Sequence, residues 1–228
     1  MRSGKLHFPD RQMLVLKFCA LTFSALLPLI NPLGSALIFL GVVGYAPPSE
    51  FHFLARKVAV STVLFLLIIE LAGATILTFF GISLPVVELS GGLVLAAMGW
   101  GLLNQKDGGT VTSAAGTAGV GPLRDQIFYP LTFPITAGPG CIVVTLTLSA
   151  HASRPKVAPT ILAHLGIALA IVGLGITVWL CYAYAPRIAQ KIPPQTAQGI
   201  LRVIAFVLLC IGVQIGWKGL DALIKSGP

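Results

Sequence analysis

Charge is what this sequence has least of. Only 10% of its 228 residues are Asp, Glu, Lys or Arg, against roughly 25% in an ordinary soluble domain. With 56% hydrophobic residues and a mean hydropathy of +0.92, a soluble fold of this length has nowhere to hide its apolar surface, so lipid is the expected solvent. Acidic groups are rarer still, seven against fifteen Lys and Arg. The formal net charge of +8 does not point to nucleic acid, because no basic stripe is interleaved with aromatics. Paired catalytic carboxylates, a nucleophile triad, a Walker loop and zinc-ligand spacing are also missing, which disfavours an enzyme, and no metal or cofactor is implied. The four cysteines Cys19, Cys141, Cys181 and Cys210 sit inside apolar runs without C-x-x-C spacing and read as small buried hydrophobes. Nothing resembles a cleavable signal peptide, since the first apolar run is too long and lacks an A-x-A-like exit.

What is there in quantity is long uncharged sequence. Phe18 to Ser49, Leu71 to Val87, Gln126 to Ser153 and Val157 to Pro186 carry no charge, and each is near or above the ~18 residues that mark a bilayer span. Basic residues fall between them, as Arg56-Lys57, Arg154, Lys156, Arg187 and Lys191, the pattern of anchors at anionic headgroups. Helical spans are expected near Lys17 to Val43, Leu54 to Phe80, Pro85 to Asn104, Gln126 to Ala150, Pro159 to Tyr184 and Ala197 to Leu220. The runs are too long and too uniform for barrel strands.

The turn Gly81-Ile-Ser-Leu-Pro85 makes a tight hairpin of spans two and three. The Gly-, Ser- and Thr-rich stretch after Asn104 reads as a linker that divides three spans from three. The organisation expected is a polar basic extension at 1–16, a three-helix repeat at 17–104, a flexible linker at 105–125 and a second three-helix repeat at 126–228. Pro28-Leu-Ile-Asn-Pro-Leu-Gly34 aligns with Pro134-Ile-Thr-Ala-Gly-Pro-Gly140, and Leu84-Pro85, Gly91 and Leu93 align with Ile192-Pro193, Gly199 and Leu201. An odd number of spans per half inverts the second half relative to the first. The fold class is therefore all-α: a polytopic membrane protein of six transmembrane helices in two inverted repeats, with helices 1 and 4 broken, as in many secondary transporters. Basic residues divide too evenly between the two sides to orient the termini.

The two broken segments carry the chemistry. At 1.5 Å per residue Asn31 lies roughly 21 Å from Lys17 and Ala137 roughly 18 Å from Asp125, so both fall near the bilayer middle. Pro28 and Pro32 each remove an amide donor, and Gly34 is expected to take dihedrals other residues avoid. Pro134, Gly138, Pro139 and Gly140 break the fourth span in the same way. Freed amides and carbonyls in hydrocarbon cost several kcal/mol each unless protein, water or ligand satisfies them. A half-helix amino end suits a carboxylate and exposed carbonyls suit an ammonium group or cation, so Asn31, Pro32, Gly34, Ser35, Thr136, Ala137, Gly138, Pro139 and Gly140 form a candidate site for a small zwitterion. The alternative is that these are helix kinks and packing notches.

Glu70 is the one carboxylate well inside a span. An ionised carboxylate in hydrocarbon is costly, which makes Glu70 a candidate for ion coupling, with a proton or a sodium ion as the coupling ion. It is otherwise a hydrogen-bonded structural group. Arg202 reads as a snorkelling anchor, His164 as a polar packing residue, and Asn104 and Gln214 as helix-gluing amides.

The motifs P-L-I-N-P-L-G at Pro28 to Gly34, Phe80-Gly-Ile-Ser-Leu-Pro with Ser90-Gly-Gly-Leu, Pro130-Leu-Thr-Phe-Pro-Ile-Thr-Ala-Gly-Pro-Gly140 and Ile211-Gly-Val-Gln-Ile resemble the MarC family, which includes SnatA-type amino-acid transporters. The resemblance runs from about Leu16 to Leu220. It implies a multi-pass protein of the bacterial inner membrane, for some members a carrier of small neutral amino acids such as glycine and alanine, with both termini usually drawn as periplasmic. The polar amino-terminal extension, Glu88 and Cys141 depart from the family pattern. Membrane lipid and a small neutral amino acid are the partners expected, and a homo-oligomer stays open. A passive channel for a small solute and a non-transporting scaffold subunit are the competing readings.

Overall fold

The computed structural model describes residues 8–44, 46–104, 124–153, 157–191 and 194–226. Among these every regular element is helical. The chain forms α1 (Phe8–Ile30), α2 (Pro32–Val43), α3 (Pro48–Phe79), α4 (Leu84–Leu103), a coiled stretch Ile127–Thr136, α5 (Pro139–Ala152), α6 (Val157–Ala183), α7 (Ala185–Lys191) and α8 (Pro194–Ser226). Five helical spans are long and apolar enough to cross a bilayer, and the bent pair Ile127–Thr136 plus Pro139–Ala152 brings the number to six. Most of the proposed linker and residues 1–7 of the proposed extension lie outside the described residues. The first helix begins at Phe8, nine residues before the expected span.

Helix α6 is the hub. Of its most apolar stretch 44% is buried, against 22–28% for the other unbent spans, and it touches α1, α2, α3 and α5. Its buried face, Ala163, Gly166, Ile167, Ala170, Ile171, Leu174 and Val178, recurs at helical spacing and is floored by small residues. Opposite faces carry exposed Leu165, Leu169, Val172 and Ile176, which suit lipid. Gly166 lies against Val15, Phe18 and Cys19, and Gly173 against Phe23, so α1 runs parallel to α6. Gly175 lies against Val63 and Ala59, while His164 meets Glu70, so α3 runs antiparallel to it.

Between lipid-exposed helices the hydrophobic effect supplies no driving force, and close van der Waals packing takes over. The pair α4 and α8 shows this most clearly. A Cβ built on Gly99 would stand 2.6 Å from Leu209 N and 2.8 Å from Ala205 O, and one on Gly219 2.5 Å from Leu89 N and 2.6 Å from Pro85 O. Backbone therefore touches backbone along the antiparallel seam, which also contains Gly92 and Gly212. An ion pair between half-exposed Lys218 Nζ and buried Glu88 Oε1, at 3.1 Å, closes one end of it.

This seam predicts a sharp contrast. Gly99→Ala should lower stability in detergent by about 1–3 kcal/mol, because neighbouring backbone cannot yield. Gly101→Ala, where a Cβ meets nothing within 4 Å, should raise it by about 0.5–1 kcal/mol. Equal unfolding midpoints for the two variants would contradict the packing.

Candidate functional site

The first span is interrupted at Asn31, which lies in the left-handed region at φ 43° and ψ 64° and caps α2. Asparagine tolerates that conformation better than most residues because its short amide bonds locally. Its side-chain oxygen accepts the Gly34 amide at 3.1 Å. Its carbonyl accepts the Ser35 amide at 2.9 Å and the Ser35 hydroxyl at 2.8 Å. Pro32, with no amide hydrogen, occupies the first helical position, where a donor would be orphaned in any case. This corrects the expectation for Gly34: the unusual dihedrals belong to Asn31, and Gly34 is an ordinary helical residue that is small because a Cβ there would press on Asn31 Cγ and Leu201 Cδ2 at 2.8 Å.

The second break is broader than a helix kinked at Ala137. From Ile127 to Thr136 the chain repeats aromatic-Pro-aliphatic-Thr, as Tyr129-Pro-Leu-Thr132 and Phe133-Pro-Ile-Thr136. A residue before proline is pushed out of the helical region by the ring, and Tyr129 (φ −121°, ψ 124°) and Phe133 (φ −118°, ψ 126°) both sit extended. Pro130 and Pro134 follow them across cis peptide bonds. The half-span expected to be α-helical from Gln126 is instead a wider, interrupted turn. Its backbone bonds lie five residues apart, such as Leu131 N to Gln126 O at 3.2 Å and Ala137 N to Thr132 O at 2.8 Å, and its threonines reinforce it. Thr132 Oγ1 donates to Ile127 O at 2.8 Å and Thr136 Oγ1 to Leu131 O at 2.6 Å.

The coil meets α5 at an angle of 70°. Gly138 (φ −75°, ψ 178°) is its cap residue, α5 has no side-chain cap, and Pro139 again opens the helix. Like Gly34, Gly138 needs no positive φ; ordinary extended backbone is open to any residue there. Gly140 matters for space: a Cβ on it would stand 2.9 Å from Leu95 Cγ and 3.2 Å from Leu29 Cδ2. Leu95 lies about 17 Å of helical rise from one end of α4 and about 12 Å from the other, so the amino end of α5 opens near the middle of that span.

Tyr182, on α6, joins the two breaks. Its hydroxyl is 2.7 Å from Thr136 Oγ1 and lies beside the Ser35 hydroxyl, and its ring stacks on Phe39 of α2 with centroids 4.5 Å apart. Residue 182 is fully buried, as is Thr136, and Ser35 is 3% exposed. The direction of the bond follows from the inventory. Thr136 spends its one hydroxyl hydrogen on Leu131 O, so Tyr182 donates and Thr136 accepts. Nothing in the sequence singled out Tyr182, although a tyrosine in an apolar run needs a partner for its hydroxyl. Helix α2 leaves the junction toward the carboxyl end of α6, and α5 leaves it toward the amino end of α6, where Ser149 meets Glu70. Two half-helix amino ends, pointing in opposite directions, therefore meet at one place.

Glu70 is not part of that junction. Its carboxylate, 1% exposed, bonds to Nδ1 of His164 on α6, and its backbone carbonyl accepts the Ser149 hydroxyl of α5 at 2.7 Å. His164 is thus a partner of the one carboxylate that the apolar spans isolate. A second polar cluster ties α4, α5 and α8: Lys218 bonds Glu88 and stands 2.9 Å from His151 Nε2. Arg202 and Gln214 are exposed on α8, and exposed Asn104 returns its amide to Trp100 O at 3.0 Å. No group of three metal-ligating side chains occurs among the described residues.

A polytopic membrane protein with two interrupted spans is the class that this architecture defines. The model of the MarC family of integral membrane proteins matches residues 16–224, and the chain belongs to that family. A membrane protein of Pyrococcus abyssi is 29% identical over 90% of this chain and 96% of its own length. The inner membrane protein MarC of Salmonella typhimurium is 27% identical over 92% of this chain and 97% of its own, and MarC of Escherichia coli is also 27% identical over the same shares. These relatives are named as membrane proteins rather than enzymes, and this chain is a multi-pass protein of the inner membrane. No solved structure matches.

Tyr182→Phe keeps the stack on Phe39 and removes the hydroxyl. It should cost about 0.6–1.5 kcal/mol, a fall in Tm of about 1–5 °C for a chain of this size. An unchanged Tm in detergent would mean that the hydroxyl makes no net bond at the junction.

Proposed function

We propose that this chain is a secondary transporter of small neutral amino acids such as glycine or alanine, working by alternating access at the junction of its two broken spans. The observation that carries the reading is the meeting of two oppositely directed half-helix amino ends, at Asn31-Pro32 and Gly138-Pro139, around the Tyr182 hydroxyl. Asn31 already takes the Gly34 and Ser35 amides at α2, and Gly138 O takes the Cys141 amide at α5, so what these ends offer a carboxylate is chiefly the partial positive charge of their helix dipoles. The nearby carbonyls and hydroxyls of Ser35, Thr136 and Ala137 offer acceptors to an ammonium group. A neutral zwitterion presents both charges without asking the membrane interior to hold a net one.

The small side chains at the junction favour a small solute. Ala137 and Gly140 are tightly enclosed, whereas a Cβ on Gly138 comes only within 3.3 Å of Pro134 O and 3.9 Å of Met98 Cε. Leu29, Leu95 and Met98 are the side chains a ligand here would meet first. Family membership supports a membrane role of this kind, and the substrate class is argued from the junction.

Purified protein in liposomes tests the reading. Counterflow of labelled glycine or alanine is expected from the wild-type chain, and Gly138→Leu should reduce it at least about tenfold, as filling a site of this size with an isobutyl group removes more than 1.4 kcal/mol of binding, while Tm in detergent stays near wild type. Flux that never saturates would favour a passive channel instead. Absence of flux, with the protein folded, would leave a scaffold role.

A further inference from the structure

We propose that Glu70 and His164 form the site at which this protein takes up and releases a proton during transport, with His164 carrying the proton between solvent and Glu70. The inference rests on the carrier reading above and deepens it by naming the coupling ion and a residue for each half of the task.

Exposure divides the roles. The Glu70 side chain is 1% exposed and that of His164 is 23% exposed, so of the two only the imidazole reaches the surface of the helix bundle. Its Nδ1 is committed to Glu70 Oε1, and Nε2 is left as the ring nitrogen that can exchange with water. A proton from hydronium adds at Nε2 and leaves water; the Nδ1 proton of the resulting imidazolium passes to Oε1. The products are a neutral carboxyl and a neutral imidazole carrying its hydrogen on Nε2. After the conformational change of transport turns the pair toward the other side, the same steps in reverse release the proton there. One proton takes the pair from a net charge of −1 to zero, and a second would leave an uncompensated positive charge inside the bundle, so the pair holds one.

The groups that face the pair come from α5 and α1. From α5 the neighbour is the Ser149 hydroxyl, already donated to Glu70 O. From α1, packed along α6, the titratable groups at this end are Arg11, Lys17 and Cys19. Lys218 with Glu88 and Lys225 with Asp221 form ion pairs on α8.

Two features connect the pair to the transport junction. Ser149 stands nine residues beyond Gly140, about 14 Å along the rigid half-helix α5, so displacement of the amino end of α5 is felt at Glu70. Thr145, one turn from Ser149 toward the junction, and Thr62, two turns from Glu70 on α3, are buried hydroxyls with no hydrogen-bond partner. Buried polar groups without partners are rare. Here they lie at helical spacing from Ser149 and Glu70 and extend a polar track toward the site.

Liposomes with and without a pH gradient test the proposal. One proton per substrate and a gradient of one pH unit support accumulation of up to about tenfold. Wild type should accumulate labelled alanine under that gradient and also catalyse gradient-free counterflow. Glu70→Gln and His164→Asn should lose the accumulation while exchange continues, because exchange moves no net proton. Accumulation that persists in Glu70→Gln, or wild-type accumulation indifferent to the gradient, overturns the assignment. If wild type shows no counterflow the carrier reading falls, and the proton site is then judged by infrared titration of purified protein. A protonated-carboxyl stretch that appears as pH falls and is missing from Glu70→Gln supports it, and a wild-type spectrum without that band overturns it.

Discussion

Peptide groups released from helical pairing inside hydrocarbon have to find partners within the protein, and that single requirement organises the centre of this molecule. Five prolines, Pro28, Pro32, Pro130, Pro134 and Pro139, delete amide donors from two spans. Around these prolines local hydroxyls bond to backbone carbonyls. Ser35 bonds back to Ile30 O and Asn31 O, Thr132 to Ile127 O and Thr136 to Leu131 O. Tyr182 then links the two repaired breaks across the bundle. At this junction the positive ends of the α2 and α5 helix dipoles come together.

Shape follows from the same economy of space. Glycines at backbone contacts let α4 and α8 touch, and small residues on α6 let four neighbours gather round it. The bundle is held by close packing rather than by exclusion of water, which leaves a broad surface of Leu, Ile, Val, Phe and Trp for lipid. Polar pairs are few and placed across helices: Glu70 with His164, Glu88 with Lys218. Glu70 and Glu88 are the buried partners, and a buried carboxylate that loses its partner is costly.

Much of this was legible in the sequence. The number and positions of the spans follow from uncharged runs, and the breaks follow from Asn-Pro and Gly-Pro steps inside them. The pre-proline rule already implied extended backbone at Tyr129 and Phe133, yet an apolar run of that length looks like a helix until the four-residue spacing of Pro130 and Pro134 is weighed. Gly34 attracted a conformational role that Asn31 fills, because an asparagine amide can stabilise its own left-handed turn. Tyr182 and the pairing of Glu70 with His164 were not legible. Both depend on which helices become neighbours, and residues 46 and 94 positions apart in the chain carry no local sign of contact.

The central claim is that paired half-helix amino ends grip the carboxylate of a small zwitterion. Calorimetric titration of the purified protein with glycine and with glycinamide, which keeps the amine and loses the carboxylate, tests it most directly. Saturable binding of glycine with none, or at least about tenfold less, for glycinamide is the result expected, since a charge-assisted contact of more than 1.4 kcal/mol is removed. Equal binding of the two, or binding of neither by folded protein, would contradict it.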